Sequence, residues 1–172
     1  MSLFPDETWI ALTTLTETNR PAEFPYVMQV ILNRMRASQR SAYEIVRAFR
    51  QFSWFNDHEG LDERALYACL RDAKKLGRDT APGRLEAVAK LTAHAMLQIP
   101  AEAGILPANA KLYWSPQSMK PRGALPSWDW SKVWAFTVPG VSPQRFVFAS
   151  EVGASDPRAG NVKSLLVDSH AS

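Results

Sequence analysis

The stretch that decides the fold is Trp9-Ile10-Ala11-Leu12-Thr13-Thr14-Leu15-Thr16-Glu17-Thr18-Asn19-Arg20-Pro21. Trp9, Leu12 and Leu15 fall near one face at helical spacing. Just before them, Pro5 suits an opening turn, and Asp6 and Glu7 match the positive start of a helix. Pro21 disfavours helical geometry at Arg20, and Asn19 is a good residue for leaving a helix. A first helix over 5–18 is therefore predicted, with Glu17 in its last turn.

Working outward, Tyr26, Val27, Val30, Ile31 and Met35 keep helical spacing and predict a second helix over 22–37. Ser41 is suited to cap a short third helix running to Phe49. The segment from Gln51 to Gly60 is rich in aromatics without a helical or strand period, and reads as a loop that packs its rings inward. Apolar stripes predict helices over 61–76 (Ala65, Leu66, Cys69, Leu70) and over 83–98 (Leu85, Val88, Ala89, Met96). Nine of the 12 prolines lie at or after position 82, and helical periodicity fades beyond Pro100. There, 111–114 and 145–149 are the plausible strands, expected to pair. The outcome is a mainly α, α+β chain of about five helices with a small C-terminal β element. One domain is expected over 1–150, followed by a small, polar tail over 151–172 that is loosely held.

Composition bounds the chemistry. A chain of 172 residues with 46% hydrophobic content can bury a core without cross-links, and its single cysteine, Cys69, excludes an intramolecular disulfide and a multi-cysteine metal cage. On an apolar stripe, Cys69 reads as a small buried hydrophobe. His58, His94 and His170 lack metal-ligand spacing, so neither a metal nor another cofactor is expected. His94 reads as a surface or satisfied core residue, and His58, between Asp57 and Glu59, as a rim residue of a site. No run approaches the roughly 18 apolar residues of a membrane span, so no membrane insertion is expected. The start, Met1-Ser2-Leu3-Phe4, has neither a basic lead nor an apolar run, giving the expectation of cytoplasmic synthesis without a signal peptide. The formal charge of +3 suits nucleic acid, anionic lipid or a bacterial surface alike. Arg34, Arg36, Arg40, Arg47 and Arg50 give the stretch 33–50 a basic cast, but no nucleic-acid-binding motif accompanies them.

Glu17 is the strongest candidate for chemistry. At the negative end of a helix, with apolar side chains one or two turns back, a carboxyl is harder to ionise, which is what a general acid for glycosidic cleavage requires. An ordinary glutamate on a solvated helix end is the competing reading, and position alone does not overturn it.

The surrounding motifs do bear on it. Glu17, then Asn33-Arg34, then Gln51-Phe52-Ser53, in this order and with similar gaps, resemble the SleB/CwlJ-type cell wall hydrolases. In that family a helix ends in Glu-Ala-Arg, the next helix carries Asn-Arg, and Gln-Phe-Ser follows. The likeness is close over 9–55 and looser to 148, where Tyr113-Trp114-Ser115-Pro116 and Pro126-Ser127-Trp128 match a Tyr/Phe segment, a Pro and a Trp. Thr16, Thr18 and Asn19 depart from the family's Gly, Ala and Arg, and Arg145 stands where a closing His is usual. These departures suggest a divergent relative such as a phage lysin.

The resemblance implies a lysozyme-like fold and cleavage of the MurNAc–GlcNAc linkage of peptidoglycan by a single protein chain, a monomer, acting on the glycan strand. As a lytic transglycosylase it needs one acid/base: Glu17 protonates the leaving oxygen, then takes the proton of the muramoyl 6-hydroxyl as that oxygen attacks the anomeric carbon. A hydrolytic muramidase needs a second carboxylate as well. Glu23, Asp57, Glu59 and Asp129 are the candidates, although Glu23 is as readily placed to favour the positive start of the second helix. The third alternative is a non-catalytic glycan-binding virion component.

Substrate binding is expected from Gln51, Phe52 and Ser53 and from ring stacking by Tyr113, Trp114 and Trp128, with Trp130 also available. At least two of Tyr113, Trp114, Trp128 and Trp130 are expected in the core, and Trp134 is assigned there first. Asn33 and Arg34 are assigned a structural part, bonding the Glu17 loop. A wall hydrolase without a signal is bacteriolytic from within or at infection, as a bacteriophage endolysin or a virion-associated protein.

Overall fold

The computed structural model describes residues 1–48, 52–72 and 83–168. Its α-helices are α1 (Asp6–Glu17), α2 (Phe24–Ser38), α3 (Ala42–Val46), α4 (Ser53–Asn56), α5 (Glu63–Asp72), α6 (Arg84–Leu97) and α7 (Val162–Asp168), and its strands are β1 (Ala110–Trp114), β2 (Val133–Phe136) and β3 (Val147–Glu151). The architecture is mainly α, of the α+β class. The chain divides into two compact units, 1–105 and 106–172, a cut that falls inside the domain expected over 1–150.

The first unit is built around α1. Every residue from Thr8 to Thr16 is buried, so α1 is enclosed on all sides rather than along the one stripe that Trp9, Leu12 and Leu15 indicate. α2, α3, α5 and α6 pack around it. Burying each of Trp9, Ile10, Leu12 and Leu15 contributes on the order of 1.5–3 kcal/mol. Enclosure also obliges the threonines to bond within the helix: Thr14 Oγ1 donates to the Ile10 carbonyl (2.8 Å) and Thr16 Oγ1 to the Thr13 carbonyl (2.7 Å). α1 stops at Thr18, whose extended backbone (φ −153°, ψ 148°) leads into a 3₁₀ turn over Pro21–Glu23 and directly into α2.

α2 ends where Gln39 turns left-handed (φ 55°). The cap expected at Ser41 is present as a reciprocal box: the Glu44 amide donates to the Ser41 hydroxyl, and the Ser41 amide donates to the Glu44 carboxylate. Those bonds hold the Glu44 carboxyl below its usual range. α3 is shorter than expected, ending at Val46, and the Ala42 amide donates to Asp6 Oδ1 (2.9 Å), tying the starts of α1 and α3 together. The segment expected to be loop contains α4. Phe52 and Phe55, three residues apart and both buried, give it a one-turn amphipathic period too short to stand out in sequence. The fourth and fifth expected helices correspond to α5 and α6. Cys69, expected to be buried, is half-buried on α5, because only Leu66 and Leu70 of that helix point fully inward.

The second unit is an antiparallel sheet in the order β1-β3-β2, with α7 against it. β1 and β3 pair as expected, with an irregularity between Ala110 and Leu112, and β2 is an additional strand. One sheet face carries Trp114, Val133, Ala135, Val147 and Ala149, covered by Val162, Leu165, Trp128 and Trp130. β2 runs along an edge, and the Asn161 carboxamide pairs with the Ala135 backbone as a neighbouring strand would, accepting from its N–H (2.8 Å) and donating to its carbonyl (2.7 Å). Gly160, with φ 74°, donates its N–H to the Val133 carbonyl just before. The tail expected to hang loosely is therefore anchored: Val162 is 3% exposed.

Candidate functional site

Glu17 is the last residue of α1, half-buried, at the end of a helix whose preceding nine residues are buried. No acidic partner is needed to place it there: the helix is fixed by its core contacts, and Pro21 stops it. Thr16 Oγ1 lies 3.5 Å from Glu17 Oε1, but its proton is committed to the Thr13 carbonyl, so this approach adds little bonding.

The turn after Glu17 contains a second carboxyl. Glu23 is 3% exposed, and Thr18, 4% exposed, donates its hydroxyl to Glu23 Oε2. The same hydroxyl oxygen accepts from the Arg20 amide (3.1 Å), so Thr18 organises the whole turn between α1 and α2. Glu23 stands at the start of α2 as expected, yet its side chain does not cap the helix; it is turned to Thr18 instead. Thr18 is one of the positions that depart from the family pattern, and the pattern gave no reason to single it out.

α2 supplies Asn33 and Arg34. The Asn33 carboxamide oxygen accepts from Gln29 Nε2 (2.9 Å), and Gln29 Oε1 accepts from the Ile105 amide (3.3 Å). Gly104 is required beside this pair, since a Cβ there would lie 3.0 Å from the Gln29 amide group. Arg34 is half-buried with its guanidinium 5.4 Å from the centre of the Phe52 ring. Phe52, expected to touch substrate, is 2% exposed and forms the platform under Arg34. Gln51 lies outside the described residues. Ser53 opens α4.

Beyond Phe52, a cleft of about 400 Å³, open to solvent, is lined by Arg47, Asn56, His58 and Glu59 over a floor of Phe55 and Leu66. His58 stacks on Trp54 (3.8 Å between ring centres, 13° between planes), and its Nδ1 is 2.8 Å from the Trp54 carbonyl. Sequence reading marked His58 as a rim residue but had no signal for Arg47 as its neighbour. Asp57, the remaining candidate carboxylate of this unit, is exposed. His94 is a surface residue, its side chain 64% exposed, 3.9 Å from Glu7.

In the second unit, Trp114 is 4% exposed and packs edge-on against Trp128 (5.6 Å) and Trp130 (5.4 Å). Its ring is a core element, and Trp128 and Trp130 are half-buried around it. Trp134, assigned to the core from sequence, is instead half-buried on the opposite face of β2, with the Arg158 guanidinium 4.4 Å over its ring. Strand alternation explains the exchange: Val133 and Ala135 point to the core, so Trp134 and Phe136 cannot. Tyr113 is half-buried, its ring edge-on to Phe146 at 5.7 Å. Asp129 is exposed, bonded to Ser131 and 3.3 Å from Lys132, which together hold its carboxyl below the usual range.

No family model, curated protein or solved structure matches the chain. Among the described residues, no cluster of His, Cys, Asp and Glu is arranged to hold a metal ion, and no helix is long and apolar enough to cross a membrane. Of the arginines in the basic stretch, Arg34 lies over Phe52, Arg36 donates to the Ile99 carbonyl, and Arg47 lies over Tyr43, so three of them already have separate intramolecular tasks.

Proposed function

We propose that the chain cleaves the glycan strand of peptidoglycan between MurNAc and GlcNAc, with Glu17 as the acid/base of a lytic transglycosylase. The observation that carries this reading is the setting of Glu17: a half-buried carboxyl ending a helix that is otherwise enclosed. The helix fixes the carboxyl's position, partial exposure lets it meet substrate, and the negative helix end disfavours its ionised form, as a proton donor requires.

The single-acid route is preferred over hydrolysis for a reason of access. Glu23 is the carboxyl nearest in sequence to Glu17, but at 3% exposure it has no free face to hold a nucleophilic water or attack a sugar. Its bond with Thr18 suits it to shape the turn that carries Glu17. Transglycosylation needs no second carboxylate, because the muramoyl 6-hydroxyl is the nucleophile and Glu17 handles both proton transfers. The motif order Glu17, Asn33-Arg34, Phe52-Ser53 and the resemblance it carries to cell wall hydrolases support the same substrate. Stacking on sugar falls to the half-buried rings Tyr113 and Trp128 rather than to Trp114.

Mass spectrometry of digested sacculi tests the proposal. Products ending in 1,6-anhydromuramic acid are expected from the wild type; reducing ends would move the reading to a muramidase, and no release at all would leave the non-catalytic glycan binder.

A further inference from the structure

We propose that the cleft between Arg47 and Glu59 binds a zwitterionic amino-acid end, one ammonium and one carboxylate on an aliphatic stem. Resting on the glycan-cleaving reading above, its occupant is the diaminopimelate end of the wall's stem peptide. The cleft, about 400 Å³, is at the lower end of the range of small-ligand sites and fits one side chain, not a polymer. Its floor, Phe55 and Leu66, is 6% and 2% exposed and offers an apolar bed to a methylene stem.

The polar arms are held ready. Arg47 lies 5.2 Å over the Tyr43 ring and donates to the Tyr43 hydroxyl (2.6 Å), and Tyr43 in turn rests against the buried Trp9 (4.9 Å between ring centres). On the other arm, His58 is stacked on Trp54, which meets Phe55 edge-on. The contact between His58 Nδ1 and the Trp54 carbonyl oxygen requires the proton on Nδ1, so in the neutral ring Nε2 is left as an acceptor for an ammonium N–H. Two cooperating aromatic supports fix the arms before any ligand arrives, which lowers the ordering cost of binding.

Charge selects the ligand. Arg47 and Glu59 line one cleft, yet no ion pair joins them among the described residues. A lone anion would satisfy Arg47 and leave Glu59 opposed, and a lone cation the reverse. A group carrying both charges satisfies both, with Asn56 able to bond either end. The lysine-type stem peptide has the ammonium but lacks the second carboxylate, so the cleft discriminates between the two wall chemistries.

The test is calorimetric titration of the full chain with two soluble tripeptides, L-Ala-γ-D-Glu-diaminopimelate and L-Ala-γ-D-Glu-L-Lys. The diaminopimelate peptide is expected to bind about tenfold or more tightly, the effect of one charge-assisted hydrogen bond. Arg47→Gln removes that preference, and Glu59→Gln weakens both peptides. Glu59 is exposed, so its variant keeps the fold and remains informative if Arg47→Gln does not. Equal binding of the two peptides, or no binding of either, overturns the proposal. The Glu17→Gln variant is titrated alongside: peptide binding retained while peptide-free glycan chains are left uncut by the wild type would refute the glycan-cleaving reading alone.

Discussion

Replacing Thr18 by valine keeps the shape and removes one hydroxyl from the turn that follows Glu17. Two hydrogen bonds go with it: the one donated to the buried Glu23 carboxyl and the one accepted from the Arg20 amide at 3.1 Å. The first is between groups 4% and 3% exposed, so water cannot replace it, and a bond to a carboxyl in that setting is worth about 1.5–3 kcal/mol. Arg20 is exposed and its amide can turn to water, so the second adds at most about 0.5 kcal/mol, the low end for a neutral bond. The expected loss is about 2–3 kcal/mol. Urea denaturation measures it: with a slope near 2 kcal/mol/M the midpoint falls by roughly 1–1.5 M. Thr18→Ser, which keeps the hydroxyl and loses one methyl, costs only about 1 kcal/mol. A Thr18→Val midpoint within 0.2 M of wild type would refute the claim that this hydroxyl organises the turn.

Other perturbations bear on the corrected parts of the structure. Trp114→Ala empties the sheet core and is expected to cost about 3–5 kcal/mol by denaturant unfolding, whereas Trp134→Ala, from the half-buried face, costs clearly less; the reverse order would contradict the assignment of faces. Gln39→Gly relieves a left-handed residue at φ 55° and is expected to stabilise by roughly 0.5–1 kcal/mol, seen as a raised Tm. Asp156, held by the Arg158 guanidinium in a two-point bond, titrates at about 2 rather than 3.8. Its folded value is the lower one, so whatever this pair contributes is present above about 3.8 and lost as pH falls through about 2. A carboxyl-detected NMR titration checks this, and Arg158→Ala should return the value toward normal.

The helices were legible because their signals are local. Ser41 with Glu44 three residues on names a helix start from chemistry alone, and Pro21 fixes the end of α1 within a residue or two. α4 was not legible, since a single turn shows only Phe52 and Phe55, which a loop with inward rings shows equally well. β2 was hidden because Trp134 and Phe136 alternate with Val133 and Ala135, making a run apolar on both faces with no polar beat to mark a strand. Misplacing Trp134 in the core follows from the same omission: without the strand there is no alternation to turn it outward. α7 was missed because a polar, Gly-containing lead conceals the anchor, which is the pairing of Asn161 with Ala135, a contact 26 residues long in sequence.

For the site, the position of Glu17 was readable and its neighbourhood was not. Enclosure of α1 on every side depends on what four other helices bring to it, and four threonines in nine residues read as polar until their hydroxyls are seen bonding back along the helix. Thr18 and Glu23 looked like a departure and a capping acid, and only the turn geometry makes them a pair. Phe52 keeps its place next to Arg34 but lies beneath it rather than against a ligand.

The most direct test of the central claim is glycan release from purified sacculi by the wild type and by Glu17→Gln, side by side, with products read by mass spectrometry. Folding of the variant is checked by its denaturation midpoint. Removing a general acid is expected to slow release by about 10²-fold to 10⁴-fold, with 1,6-anhydro ends in the wild-type digest. Equal release by a folded Glu17→Gln would contradict the account.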